Sequence, residues 1–295
     1  MHTEYYVNNR KRLYEQLPSG ALLAMFSGEE IRKTNDEYYA FFADRNFVYL
    51  TGLECKQAVL LAGKDAQGSV WERLYILAPD AHAERWTGTR VKPWEAQEIS
   101  GISDIRYENL FADELHTLIT RGNYGCLYLD LFRVSPADID RPAHRLLRCV
   151  QADYPFLQIG NANALVRRLR TIKQPCEIAA LREAEKITGE GILAMMKYRA
   201  EFDYVLGQYG AKGPGFPSII SAGENNFCIH YYSCHGQAKD GDMILNDVGA
   251  QYDNLITDVS RGWPCNGKFD ERQRLLYECA LATSDYLFSI IKPGM

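Results

Sequence analysis

The sequence has no run of about 18 consecutive apolar residues, which excludes a conventional membrane-spanning helix. Met1 to Arg12 is polar and carries no apolar stretch ahead of a small-residue cleavage site, so a cytoplasmic protein is the expectation. Cys-x-x-Cys is also missing. The eight cysteines are scattered, too sparse for a disulfide scaffold and wrongly spaced for a zinc knuckle, and the bland reading is reduced thiols. Cys228 and Cys234 are the nearest pair and form a redox pair only if the fold joins them. Clustered basic charge is lacking too: Lys+Arg 33 against Asp+Glu 38 gives a formal net charge of -5, which argues against nucleic-acid binding. No repeat or low-complexity tract is present.

What remains is an ordinary globular composition, 46% hydrophobic and 24% charged. At 295 residues the chain sits near the size at which single cores stop growing, so two domains are expected. Residues 1–160 alternate short apolar runs with helical periods. Strands are predicted at Ala21 to Phe26, Phe47 to Thr51, Ala58 to Ala62, Leu74 to Leu77 and Cys126 to Leu131, with helices over Phe111 to Ile119 and Ala143 to Val150. The alternation reads as an α/β N-terminal domain with a mixed sheet. Periodicity fades near Leu157 to Ala164, placing a boundary at about residue 160. A second domain, 161–295, opens with a long helix whose first turn holds Pro175 and Glu177.

The chemistry concentrates between Pro214 and Phe269. Met243 to Val248 reads as an apolar strand, Gly249 to Asn254 as turn chemistry, and Leu255 to Ser260 as the returning strand. Period-two alternation sets Asp247 on the face of Leu245 and Asp258 on the face of Ile256, so two carboxylates are expected together on an apolar face. Direct pairing would bring their Cβ atoms to roughly 4.5–5.5 Å. Such a pair can share a proton, meet a cationic side chain or bind divalent metal. Arg261, three residues past Asp258, makes a salt bridge as good a reading as metal. His230 closes the apolar run Phe227 to Ile229, at a spacing that allows a strand, a turn and a return before Asp247. A lone histidine beside aromatics is more often a core residue, but an imidazole near a carboxylate pair suits proton transfer close to neutral pH.

These stretches carry a resemblance. FPSIISAGENNFCIHYY, DGDMILNDVGAQYDN and ITDVSRGWPCNGKF, in that order, resemble the catalytic domain of the aminopeptidase P branch of the creatinase, prolidase and methionine aminopeptidase superfamily. RNFVYLTGLE, ERWTGTR and LRTIKQPCEIAALREA extend the likeness over nearly the whole chain. The resemblance implies a creatinase/prolidase-type N-terminal domain joined to an α+β, partial pita-bread catalytic domain. It also implies release of the residue ahead of proline from peptide substrates, with a hydroxide bridging two divalent ions as nucleophile. Asp247 and Asp258 match metal ligands, His230 a histidine near the scissile bond, and Trp86 a tryptophan that reaches a neighbouring subunit's site in relatives; a core or interface aromatic is the plainer reading of Trp86. Oxygen ligands favour a hard ion such as manganese, and a homo-oligomer is implied.

Two departures stand beside the likeness. The family completes its site with a later histidine and two glutamates, and the sequence stops at Met295 before them, after an amphipathic helix over Arg272 to Ile291 whose apolar face expects a partner layer. The chain therefore reads as truncated, with His235, Glu224 and Asp240 the nearby candidates to substitute. Relatives also insert a turn where MMKYR runs into AEFDYVL, so the long helix is expected to continue unbent. Two further readings are a prolidase-like dipeptidase and a non-catalytic oligomerisation or peptide-binding module.

Overall fold

The computed structural model describes residues 1–35, 37–195, 199–232 and 237–295. His235 and Cys234 lie outside the described residues. The chain divides into two units, Met1–Lys173 and Gln174–Met295. The sequence reading put the boundary near residue 160. Helix Ala162–Thr171 nevertheless belongs with the first unit, because Ala162, Val166 and Leu169 are buried in that unit's core.

The first unit is built on a six-stranded mixed sheet. Its strands are Ala21–Phe26 (β1), Val59–Lys64 (β2), Val70–Ile76 (β3), Ile105–Tyr107 (β4), Cys126–Leu129 (β5) and Gln158–Asn161 (β6). They lie in the order β4-β3-β2-β1-β5-β6; β1 runs antiparallel to β2 and parallel to β5. Alternation along the central strands sorts the core into two layers. Leu23, Met25, Leu60 and Ala62 pack under helices Thr3–Gln16 (α1), Arg45–Thr51 (α2) and Ala162–Thr171, whereas Leu22, Ala24, Val59 and Leu61 face Phe111–Thr120 and Pro142–Asp153. The sequence-derived strands at Ala21, Ala58, Leu74 and Cys126 and both helices all appear.

Phe47 to Thr51 is helical, against the strand reading. Its aromatic and β-branched residues suit a strand, but its ends overrule them. Asp44 accepts hydrogen bonds from the N–H groups of Asn46 (2.9 Å) and Phe47 (3.1 Å), and Gly52 takes the left-handed conformation (φ 75°) that closes a helix. The last carbonyls of α2 are capped from outside: Asn9 Nδ2 donates to Tyr49 O at 3.0 Å and Arg10 to Leu50 O at 2.7 Å.

A charged cluster fastens β3, β4 and the Phe111–Thr120 helix. Arg73 and Arg106 bridge Asp104 and Glu114, and Tyr75 donates to Glu114. The hydrogen bond from Arg106 holds the Asp104 carboxyl below the usual carboxylate range. Burial pushes Glu114 up, but Tyr75 and Arg106 outweigh it, and its carboxyl also ends below that range. Both acids bind protons more readily when unfolded, so their contribution is present above pH of about 4 and is lost as pH falls further. Thermal melts of the first unit should hold from pH 7 to about 5 and drop steeply towards pH 3. A flat profile below pH 4 would contradict this linkage.

In the second unit, Pro175–Met195 (α3) and Arg199–Gln208 (α4) pack on β-sheet. The expectation of one unbent helix fails: Phe202 lies against Gly191, where an added Cβ would meet its ring at 2.5 Å, and shares a core with Ile187. In one continuous helix residues 191 and 202 would stand about 16 Å apart. The sheet comprises Gly213–Pro214 (β7), Ile219–Ala222 (β8), Met243–Val248 (β9), Ala250–Tyr252 (β10), Leu255–Ile256 (β11) and Val259–Pro264 (β12), in two three-stranded pieces, β8-β9-β12 and β11-β10-β7. A final helix, Glu271–Ile290 (α5), starts on an Asp270–Gln273 capping box. None of its residues is buried, and Leu275, Leu276, Leu281 and Phe288 are exposed. Among the described residues no helix is long and apolar enough to cross a membrane.

Candidate metal centre

The hairpin that carries Asp247 and Asp258 follows from local signals. β9 and β12 pair antiparallel, Asp247 opposite Ser260 and Val248 opposite Val259, and the same register resumes at Gln251 opposite Ile256. Asp253 (φ 48°) and Asn254 (φ 70°) form the two-residue turn, both in the left-handed conformation that Asp and Asn tolerate best among non-glycine residues. Val248 and Ala250 are fully buried against the helices, so the alternate residue Asp247 points to the other, more open face.

This register corrects one sequence-derived detail. Asp258 stands opposite Gly249 rather than Asp247, and the two carboxylates are diagonal neighbours on one face. They still face each other, close enough for the Asp247 charge to act on the Asp258 carboxyl. Burial and then the facing Asp247 charge raise its pKa above the ordinary value. The face is also less apolar than expected, since Asp258, Ser260 and Ile256 are exposed and Asp247 half-buried.

Arg261 does not neutralise the pair. Its odd separation from Asp258 turns it to the opposite face, where it pairs in register with Asn246; its backbone N–H donates to Asn246 Oδ1 and its guanidinium to the Ser260 carbonyl. Among the described residues no cationic side chain forms a salt bridge with either aspartate. Two mutually facing carboxylates without a salt-bridge partner among the described residues are a donor set that fits a hard divalent cation. No third His, Cys, Asp or Glu of the described residues joins them in a metal-holding group.

The sequence reading did not single out Ser260. Its hydroxyl donates to Asp247 Oδ1 at 2.6 Å, leaving Oδ2 for another partner. The signal was available: Ser260 is two residues past Asp258 and so shares its face.

His230 is placed elsewhere than expected. β8 runs beside β9 with Ile219 opposite Asp247, and the chain then leaves through the 3-10 turn Gly223–Phe227. That turn is pinned by Asn226, whose amide donates to Met243 O at 2.8 Å and whose carbonyl accepts from Ser221 at 2.6 Å. His230 follows in an exposed segment, stacked on Tyr232 with centroids 5.4 Å apart. It is not on a strand beside Asp247. Glu224 lies on the 3-10 turn, and Asp240 accepts from Asn266. Trp86 sits on the helix Ala81–Thr87, which buries none of its residues, and is 78% exposed; it is not a core aromatic of the first unit.

An α/β unit is thus followed by a unit whose sheet carries two facing aspartates without a salt-bridge partner among the described residues, and comparison with known proteins gives this architecture its class. Residues 6–128 match the aminopeptidase P N-terminal domain, and residues 172–295 match metallopeptidase family M24, the pita-bread peptidases. A solved Bacillus anthracis structure, assigned as an aminopeptidase P, superposes over 100% of this chain and 73% of its own, with 31% identity and a TM-score of 0.95. Aminopeptidase P from Escherichia coli with the inhibitor Pro-Leu superposes over 96% of this chain at 25% identity and a TM-score of 0.86. The Xaa-Pro aminopeptidase of Escherichia coli K12 is 28% identical over 97% of this chain. The chain belongs to the aminopeptidase P family. It spans about two thirds of the length of these relatives.

Proposed function

We propose that this chain is the N-terminal domain and the front of the catalytic domain of a Xaa-Pro aminopeptidase, which releases the first residue from peptides with proline second. The observation that carries the reading is the facing pair Asp247 and Asp258, which forms no salt bridge with a cationic side chain among the described residues. In this reading the two side chains hold divalent cations, manganese by the hardness of their oxygens. When bound, such ions activate water and polarise the scissile carbonyl. Ser260 orients the Asp247 carboxylate, the mobile proton is handled by His230 once peptide is bound, and Trp86 contributes to the site of a second copy in a homo-oligomer. In this reading the remaining His and Glu ligands belong to the third of the relatives' length that this chain does not span. On their own, two carboxylates hold a divalent ion weakly, with several waters kept.

The test is Mn2+-dependent release of the N-terminal residue from an Xaa-Pro-Xaa tripeptide, followed by mass spectrometry. It should be run on this chain and on a polypeptide of the relatives' length. Activity is expected in the longer form, lost in Asp247→Asn and Asp258→Asn and absent for a tripeptide without proline. Cleavage of Xaa-Pro dipeptides but not tripeptides would favour a prolidase-like enzyme instead. Full activity in both asparagine variants would remove the metal assignment.

A further inference from the structure

The register of the aspartate hairpin is continuous from Met243 opposite Pro264 to Tyr252 opposite Leu255, yet regular strand structure lapses at Thr257 and Asp258. At that point Gly249 lies against the Thr257 carbonyl so closely that a Cβ on it would stand 1.7 Å from the oxygen. Thr257 N–H still donates to Ala250 O at 3.1 Å. An unbroken ladder would return a bond from Ala250 N–H to the Thr257 carbonyl. Here the Ala250 N–H is directed to two hydroxyls instead, Thr257 Oγ1 at 2.9 Å and Thr188 Oγ1 at 3.0 Å.

Thr188 comes from α3, 69 residues before Thr257, and both are buried. The hydroxyl inventory closes. With the Thr188 proton on Ala184 O at 2.9 Å, the 2.7 Å contact between the two hydroxyls takes Thr257 as donor, in preference to that hydroxyl's longer 3.5 Å contact with Ala250 O. Thr188 Oγ1 thereby accepts both from Thr257 and from Ala250, replacing the missing ladder bond with a link to the helix. The next residue after this link is Asp258.

We infer that Thr188 is a positioning residue for the aspartate pair: acting through Thr257, its hydroxyl sets the peptide that precedes Asp258 and so fixes where that carboxylate stands relative to Asp247. The inference rests on the reading of the two aspartates as cation ligands. Outer-shell groups that orient a ligand typically change metal affinity about 10- to 100-fold when removed. Thr188→Val keeps the shape and deletes the hydroxyl; Thr188→Ser keeps the hydroxyl.

The experiment is a Mn2+ titration of this chain, with free Mn2+ read by electron paramagnetic resonance and folding checked by thermal denaturation. Thr188→Val is expected to weaken Mn2+ binding by about tenfold or more, and Thr188→Ser to bind as the parent does. Ile187→Val, a buried neighbour on the same helix with no polar link, controls for loosening: it should cost stability and leave Mn2+ affinity unchanged. Parent-like affinity in Thr188→Val, or equal weakening in Ile187→Val, overturns the inference. Should Thr188→Val fail to fold, Thr257→Val, which breaks the same link from the other side, takes its place under the same criteria. The ligand reading is tested separately by the parent itself: no Mn2+ uptake there, or uptake untouched by Asp258→Asn, would sink that reading and the inference with it.

Discussion

Gly249→Ala is expected to cost the second unit about 4 kcal/mol. Overpacking a protein interior usually costs about 1–3 kcal/mol because side chains can shift. No such relief exists here. The new Cβ would meet Thr257 O at 1.7 Å and Thr257 C at 2.5 Å, both backbone atoms, so the two strands themselves must part. Parting them also strains the Ala250 and Thr257 hydrogen bonds, each worth about 1 kcal/mol net. Amide hydrogen exchange over 243–264 measures the effect: protection should fall by about three orders of magnitude. The exposed helical Gly189 makes the contrast, since nothing lies within 4 Å of its added Cβ. Gly189→Ala should stabilise by up to about 1 kcal/mol. Similar effects from the two substitutions would show that the close approach at Gly249 is not a real constraint.

The second large effect falls in the first unit. Arg10 is 1% exposed, its guanidinium paired with Glu72 at 2.8 and 3.1 Å while also capping Leu50 O. Tyr14 donates to the same Glu72 at 2.7 Å, and burial followed by that carboxylate raises the Tyr14 pKa well above its usual value. Arg10→Met keeps most of the volume but leaves Glu72 facing Tyr14 alone and an α2 carbonyl without its cap. Removing one member of a buried ion pair costs about 3–5 kcal/mol, and that loss is expected in urea denaturation of the first unit. The exposed pair Arg145–Glu29 provides the comparison, with an expected cost below about 1 kcal/mol for Arg145→Met. A loss under about 1 kcal/mol for Arg10→Met would mean that the pair is replaceable by packing, as some buried ion pairs are.

Much of the aspartate hairpin was legible because it rests on short-range rules. Met243 to Val248 reads as a strand from its apolar run and the shared face of Asp247 and Asp258 follows from period-two alternation, whereas the turn read over Gly249 to Asn254 shrinks to Asp253 and Asn254, because Ala250–Tyr252 pairs as a strand. The same alternation removes Arg261 from the pair, although the sequence reading weighed it as an equal partner without applying the rule to it. Direct pairing of the two aspartates was less secure, since a one-step change in where the turn falls alters which residues stand opposite. His230 illustrates a different limit. Its neighbours are apolar enough for a strand, yet Asn226 ties the preceding turn to Met243 O, and the chain leaves the sheet before His230 is reached.

Sequence by itself determined the two-unit order, the central strands of the first sheet, the α5 helix, the presence of the aspartate hairpin and the common face of the two carboxylates. Each depends on a handful of consecutive residues whose periodicity, caps and turn preferences act locally. Tertiary structure alone decided that Phe202 returns onto Gly191 and that Thr188 reaches the Thr257 hydroxyl and the Ala250 N–H. Those outcomes rest on hydrogen bonds and close packing between residues of different elements. Their energies arise only after the chain has brought the partners together, so no local pattern encodes them.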